Sequence, residues 1–213
     1  TAVVPEILSG ESDDAFDLAG TAIGLTAPDR LILGNNIRTG DVILGIESNG
    51  LHSNGFTLAR KVLSKYSIDD IPRFLTKPIG EELLSPTRIY VRPIMELIKD
   101  KNISVHGLAH ITGGSFTKLK RLNNKVRFNL SKLPKIEGIF KQIQSDGKID
   151  VKEMYRTFNM GIGFCLIMPK NSVDKTTSIV EKHKMKVFDI GEIDSSGIGN
   201  VVGKINGKKY ILG

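Results

Sequence analysis

The sequence predicts an α/β or α+β fold, because strand-like and helix-like segments alternate along the chain. A hairpin signal closes the pattern, since two short strand-like runs flank Asn206-Gly207, a two-residue turn. Hydrophobic residues make up 40% of the 213 residues, which is enough for a substantial core. No internal repeat or low-complexity segment interrupts the alternation.

Five segments before the hairpin have the pattern of strands, since each is a short apolar run bounded by turn residues. They are residues 16–26, 41–48, 103–114, 161–169 and 186–193. The connector between the first two contains Gly and Asn, and we expect a domain boundary in it near Thr39-Gly40. Cys165, the single cysteine, lies among apolar residues and should be buried. A lone cysteine excludes an internal disulfide and favours a cytoplasmic location.

Three segments have the apolar spacing of amphipathic helices. The first follows Asn54-Gly55 and is expected to be capped by Ser53 or Asn54. The second is predicted to begin at Ser85-Pro86 and to kink at Pro93. The third covers residues 171–185, with Asn171 or Ser172 as its cap.

The net charge of +7 raises nucleic-acid binding as one interpretation, since the excess lies mainly in 118–148 and 182–209. Aromatic residues make up only 6% and Trp is absent, so these stretches lack interleaved rings for stacking on bases. We therefore prefer phosphate-bearing ligands or a generally basic surface. No apolar run reaches the ~20 residues of a membrane span, and no signal-peptide pattern is present.

The stretch His52-Ser53-Asn54-Gly55 lies between a predicted strand and a predicted helix. A polar loop at a helix start presents free backbone N–H groups to an anion. His52 can donate or accept a hydrogen bond near neutral pH, and Asn54 can do both at once. The plain alternative is a capped helix beside a surface histidine.

A second stretch, Thr112-Gly113-Gly114-Ser115, follows a strand and precedes a basic segment with Lys118. Paired glycines let the backbone approach a phosphate, and hydroxyls add donors, although a tight turn is the plain alternative. The Walker pattern is absent. Thr157 and Asn159 precede a buried strand, where Asn159 is alternatively a simple cap.

Asp17 lies inside an apolar run, where a carboxylate needs a cation or a hydrogen-bonded partner. It is a candidate to hold magnesium with nucleotide phosphates, and a salt bridge at a sheet edge is the alternative. His106 and His110 fall on one predicted strand about 13 Å apart, which argues against a shared metal ion.

Together, the motifs HSNGFTLARKVL, LLSPTRIYV, GLAHITGGSF and EMYRTFNMGIG resemble the C-terminal part of the aminoimidazole ribonucleotide synthetases, or phosphoribosylformylglycinamidine cyclo-ligases. The resemblance runs from residue 1 to near residue 203. It implies a two-domain α/β architecture with a mixed sheet and helices packed on one face. Residues 1–38 would end an N-terminal ATP-binding domain, and residues 39–213 would form a substrate-binding domain in a homodimer.

The resemblance also implies ATP-dependent ring closure of formylglycinamidine ribonucleotide to aminoimidazole ribonucleotide in purine biosynthesis. ATP with Mg²⁺ would phosphorylate the formamide oxygen, the amidine nitrogen would attack the activated carbon, and phosphate would leave. Such a ligase depends on positioned phosphates and hydrogen bonds more than on a strong acid or base. Neither nucleic acid nor a membrane is expected as a partner.

The residue roles carried over by motif divide into three groups. Catalytic roles fall to His52, Asn54 and Asn159, and Asp17 belongs to the nucleotide–magnesium side. Substrate contacts fall to Ser53, Gly55, Thr112, Gly113, Gly114, Ser115 and Thr157. The family usually has a third glycine where this chain has Ser115. Because the resemblance does not include the family's glycine-rich ATP segment, we expect this chain not to turn over alone.

Two other functional classes stay open. Thiamine-monophosphate kinases, selenophosphate synthetases and hydrogenase maturation proteins share the implied architecture, although HSNG, PTRIYV and TFNMG are cyclo-ligase features. A non-catalytic binding module fits the basic charge but leaves the four motifs without a purpose. ADP release that depends on formylglycinamidine ribonucleotide would distinguish a cyclo-ligase from the first class. Salt-sensitive affinity for nucleic acid would instead support the second class.

Overall fold

The computed structural model describes residues 20–195 and 199–213, and the chain divides into two units, Thr1–Leu31 and Ile32–Gly213. In the first unit, the described residues are exposed and form a single 3-10 turn, Pro28–Arg30. The predicted strand over 16–26 is therefore wrong for residues 20–26, where no ladder forms. Residues 16–19, including Asp17, lie outside the described residues.

The described part of the second unit is built on a seven-stranded mixed sheet, ordered β2-β4-β1-β5-β3-β6-β7. The strands are β1 Val42–Glu47, β2 Gly107–His110, β3 Arg127–Leu130, β4 Ile162–Met168, β5 Val187–Asp194, β6 Val201–Ile205 and β7 Lys208–Ile211. Among these strands β3 and β6 pair in parallel, and the other neighbours are antiparallel. The predicted mixed α/β fold is confirmed.

Helices pack on both faces of the sheet, whereas the resemblance implied one face. The α-helices are α1 Phe56–Leu63, α2 Ile79–Leu83, α3 Val91–Lys99, α4 Gly138–Gly147, α5 Val151–Thr157 and α6 Val173–Lys182. Because alternate strand residues point to opposite faces, Ile43 of β1 joins a core under α1, α4 and α5, while Leu44 joins a core under α3 and α6. Consecutive apolar residues in β1 and β4 are buried on both sides, so each face needs a cover.

The first predicted helix forms, but its cap differs from the expectation. Gly55, not Ser53 or Asn54, is the N-cap of α1, and no side chain bonds to the free N–H groups there. Gly55 has a left-handed backbone with φ of 72°, which suits glycine and leaves the neighbouring side chains free for other contacts.

The other two predicted helix starts are also corrected. The stretch after Ser85 has no regular structure, and α3 begins only at Val91. Pro93 is then in the first turn, where the backbone N–H has no intrahelical partner, so no kink follows. Ser172 precedes α6 without capping it, and its hydroxyl accepts a hydrogen bond from the Ser104 N–H at 3.1 Å.

Two local predictions are confirmed, the burial of Cys165 and the terminal hairpin. Cys165 is buried in β4, and β6 and β7 form a hairpin around Asn206-Gly207, whose φ angles are 49° and 80°. In the described part of the chain, no helix is long and apolar enough to span a membrane.

A buried polar cluster joins the start of β1 to the approach to β2. Asp41 and His106 are 2% and 7% exposed, and Oδ2 of Asp41 lies 2.7 Å from Nδ1 of His106. The same oxygen accepts the Arg38 N–H at 3.0 Å, and Nε2 of His106 lies 3.1 Å from the Ser104 hydroxyl. Loss of Asp41 would leave the buried Nδ1 of His106 without this partner, and an unpaired buried polar group costs more than its hydrogen bond contributes.

We expect Asp41→Ala to lower the free energy of unfolding by about 1–3 kcal/mol, because it removes the acceptor shared by the Arg38 N–H and the buried His106 ring. Urea denaturation measures the change. Asp69→Ala is the matched control, since Asp69 is exposed. Equal stability losses in the two variants would contradict the importance of the buried cluster.

Candidate functional site

Four loops meet at one end of the central strands. Residues 48–55 follow β1, residues 111–115 follow β2, and residues 158–161 precede β4. Because β4 runs antiparallel to β1 and β2, its beginning lies beside their ends, with Glu47 opposite Ile162 and His110 opposite Phe164. Residues 85–90 join them, since Nδ2 of Asn49 donates to the Pro86 carbonyl at 3.1 Å.

His52 is buried and fixed by its backbone neighbours. Its Nε2 accepts the Asn49 N–H at 3.0 Å and, at a longer 3.5 Å, the Arg88 N–H. A ring nitrogen that accepts carries no proton, so the neutral imidazole has its proton on Nδ1. Nδ1 is buried without a hydrogen-bond partner among the described residues. Burial, followed by the charges of His110 and Arg88, lowers the pKa of His52 to about 4.

An aromatic cluster surrounds His52. Tyr90 donates its hydroxyl to the Glu47 carbonyl at 2.8 Å, and its ring centroid lies 6.2 Å from that of His52. The His110 ring stacks on Phe164 at 6.0 Å and lies 5.7 Å from Tyr90. A Cβ on Gly163 would overlap the Tyr90 hydroxyl and lie 2.6 Å from Cε1 of His52, so this close packing needs glycine.

Asn54 lies beside the second predicted motif. Its Oδ1 lies 3.7 Å from the position that a Cβ on Gly113 would occupy. The glycine turn itself is exposed at Gly113 and Gly114, and Nζ of Lys118 donates to Oγ1 of Thr112. An exposed backbone turn beside an amide and an ammonium group has the components of an anion site.

Ser115 is the predicted site residue that faces away from this turn. It is buried, and its hydroxyl donates to the Phe158 carbonyl at 2.5 Å. Its backbone N–H is also used, donating to the Thr112 carbonyl at 2.7 Å. The side chain therefore neither crowds the turn nor adds a hydroxyl to it.

Asn159 lies at the centre of the site but is 1% exposed. Its Oδ1 accepts the Ser48 hydroxyl at 2.8 Å and the Gly161 N–H at 2.9 Å, and its Nδ2 donates to the Gly50 carbonyl at 3.0 Å. The amide thus ties the loop after β1 to the start of β4.

The other predicted site residues lie at the edges of the site. Ser53 is exposed next to His52, and the Phe158 ring packs closely against Gly55. Thr157 ends α5, and its hydroxyl donates to Glu153 at 2.8 Å within the same helix. The structure thus brings the HSNG stretch, the glycine turn and Asn159 together, with Thr157 next to Phe158.

Sequence reasoning gave no individual role to Tyr90, Arg88 and His110. Arg88 pairs with Glu47 at 3.2 Å, and its Nε is buried without a hydrogen-bond partner among the described residues. Arg88 and Tyr90 belong to the motif LLSPTRIYV, and His110 to GLAHITGGSF, so the motifs contained them. Within residues 20–195 and 199–213, no group of three or more His, Cys, Asp or Glu side chains is placed to hold a metal ion.

Curated relatives of this chain are cyclo-ligases. The phosphoribosylformylglycinamidine cyclo-ligase of Methanocaldococcus jannaschii is 46% identical over 222 aligned positions, which cover 100% of this chain and 62% of the relative. That of Methanothermobacter thermautotrophicus is 45% identical over 201 positions, covering 92% and 56%. The chain spans about three fifths of the length of these relatives.

Solved structures with the same fold have much lower sequence identity. The hydrogenase maturation protein HypE superposes with a TM-score of 0.58 at 16% identity, covering 84% of this chain and 54% of HypE. T. maritima PurL complexed with AMPPCP gives a TM-score of 0.51 at 13% identity, covering 87% and 27%. These likenesses concern the fold alone.

Residues 38–204 match the family described as AIR synthase related protein, C-terminal domain. The match includes β1 to β5, every loop of the site and most of β6. The chain therefore belongs to the AIR synthase related proteins and contains their C-terminal domain.

Proposed function

We propose that this chain is the substrate-binding part of an ATP-dependent ligase that closes formylglycinamidine ribonucleotide to aminoimidazole ribonucleotide in purine biosynthesis. The observation that carries the proposal is the position of Asn54 against the Gly113 turn, where two motifs distant in sequence form one exposed polar surface. The names of the relatives at 46% and 45% identity support the same reaction. Residues 39–213 would be the substrate domain, and residues 1–38 the end of the nucleotide domain.

The exposed turn Thr112-Gly113-Gly114 would receive the ribose 5-phosphate of the substrate. Backbone N–H groups of a glycine turn approach phosphate oxygens closely, and Lys118 adds a positive charge beside Thr112. Ser115 is not part of this contact in the proposal, because its hydroxyl and its N–H are already used inside the protein. Its role would be to fix the turn.

The remaining site residues divide by their exposure. Asn54, Ser53 and Gly55 would line the substrate cleft, with Thr157 at its margin. Asn159 would act as a positioning residue, because its buried amide holds the loop that presents His52. His52 itself would contact the substrate through the proton on Nδ1, which has no partner among the described residues.

ATP and Mg²⁺ complete the proposed reaction. HypE in complex with ATP and PurL complexed with AMPPCP have this fold, which supports a nucleotide ligand. PurL has also been solved with FGAR. Asp17 would hold the ion that accompanies the triphosphate. A homodimer in the cytoplasm, without nucleic acid or membrane partners, is the proposed setting.

The first test is ADP release by the complete product of the gene that encodes this chain, with and without formylglycinamidine ribonucleotide. Release should depend on that substrate. Asn54→Ala should lower kcat/KM about 10- to 100-fold, since it removes a polar contact at the cleft. Asn171→Ala is the control, because Asn171 is exposed on the segment before α6. ADP release that does not depend on formylglycinamidine ribonucleotide would assign the chain to another class of ATP-using enzyme.

A second test uses Gly113→Ala in this chain. The nearest atom to the added methyl group would be Oδ1 of Asn54 at 3.7 Å, an ordinary contact, so the melting temperature should hardly change. A methyl group on the turn would nevertheless separate the backbone from a phosphate. We expect the affinity for ribose 5-phosphate, measured by calorimetry, to fall at least about tenfold.

Gly24→Ala is the matched control for that measurement, since nothing lies within 4 Å of a Cβ added at Gly24. Unchanged affinity in Gly113→Ala would show that the phosphate does not bind at this turn.

A further inference from the structure

The proposed ring closure needs a proton acceptor. The lone pair of the amidine nitrogen forms a bond to the formamide carbon, whose oxygen carries the phosphoryl group, and the nitrogen must lose its N–H proton. The C–O bond then breaks, and its electron pair leaves with phosphate. A positioned side chain that takes such a proton contributes about 10²- to 10⁴-fold to the rate.

Two histidine rings, His52 and His110, lie in the candidate site with centroids 6.4 Å apart. We propose that His110 is the catalytic residue that accepts the amidine proton, and that His52 is a fixed, non-titrating hydrogen-bond donor to the substrate. This inference rests on the proposed function and assigns the acid–base role within that site.

His52 is unsuited to accept the proton because its lone pair is already used. Nε2 accepts two backbone N–H groups, from Asn49 and Arg88, and a proton there would break both bonds. The Arg88 side chain adds a positive charge that opposes imidazolium formation. What His52 offers to a ligand is the Nδ1–H, which is buried and has no hydrogen-bond partner among the described residues.

His110 has the opposite properties. It is the last residue of β2, it is exposed, and neither ring nitrogen has a hydrogen-bond partner among the described residues. Its ring stacks on Phe164 and meets the edge of Tyr90, and these contacts restrict the orientation of the imidazole plane. It lies two residues before Thr112, so it adjoins the proposed phosphate turn.

The charged and titratable groups around His110 favour its neutral form. Lys118 faces it from the segment after the glycine turn, His52 from the loop after β1, and Tyr90 from the segment before α3. Arg88 acts on both His52 and Tyr90, and its partner Glu47 acts on Tyr90. Partial desolvation of the ring, followed by the positive charge of Lys118, lowers the pKa of His110 from its ordinary value and so favours the neutral imidazole that can accept a proton.

The test is the pH dependence of kcat/KM for the complete gene product. Activity should fall toward acidic pH, because protonated His110 has no lone pair to offer, and the lowered pKa places this fall on the acid side of an ordinary histidine. His110→Gln should lower kcat about 10²- to 10⁴-fold, and its residual activity should lose this acidic limb. His52→Gln should lower activity but keep the limb, and His183→Gln, whose ring pairs with Glu96 instead, should change neither.

A second measurement on this chain alone uses the nitrogen chemical shifts of the imidazole rings between pH 5 and 8. His52 should stay neutral with its proton on Nδ1, while His110 titrates. An acidic limb retained in His110→Gln, or a His52 ring that titrates near neutrality, would overturn the assignment. Wild-type ADP release that is independent of formylglycinamidine ribonucleotide would overturn the proposed function, and with it the reaction that His110 is proposed to serve.

Discussion

The buried amide of Asn159 is the interaction on which the site depends. Its three hydrogen bonds connect the Ser48 hydroxyl, the Gly50 carbonyl and the Gly161 N–H, so one side chain joins the end of β1 to the start of β4. The loop held in this way carries His52, whose ring in turn accepts N–H groups from two segments. A buried network works only when every member is satisfied, which makes the whole loop sensitive to this amide.

The sequence predicted the regular elements better than their ends. Apolar periodicity located β1, β4, β5, α1 and α6, because burial on a sheet or under a helix imposes that spacing. Helix caps were mispredicted, since Gly55 begins α1 by its backbone conformation and Ser172 is occupied by a distant backbone N–H. The local preference of a residue for a helix cap does not indicate a hydrogen-bond partner that lies far away in the sequence.

In the site, too, the sequence located local segments but not the contacts between distant ones. The motifs located the HSNG loop and the glycine turn, but the aromatic cluster of Tyr90, His110 and Phe164 depends on the pairing of β2 with β4. Ser115 was expected to face a ligand, and it faces the Phe158 carbonyl because the chain turns inward there. The fold itself does not choose the reaction, since proteins at 16% and 13% identity share it.

The position of the β6–β7 hairpin explains part of the positive charge of the chain. β7 is an edge strand of the sheet, and Lys208 and Lys209 stand exposed along it. An open edge offers unpaired backbone groups to the edge of another molecule, and fixed positive charges make that encounter repulsive. Two copies of the chain would bring four ammonium groups together if their β7 edges met. These lysines therefore disfavour the addition of a strand from another molecule to the β7 edge, and this effect requires no ligand.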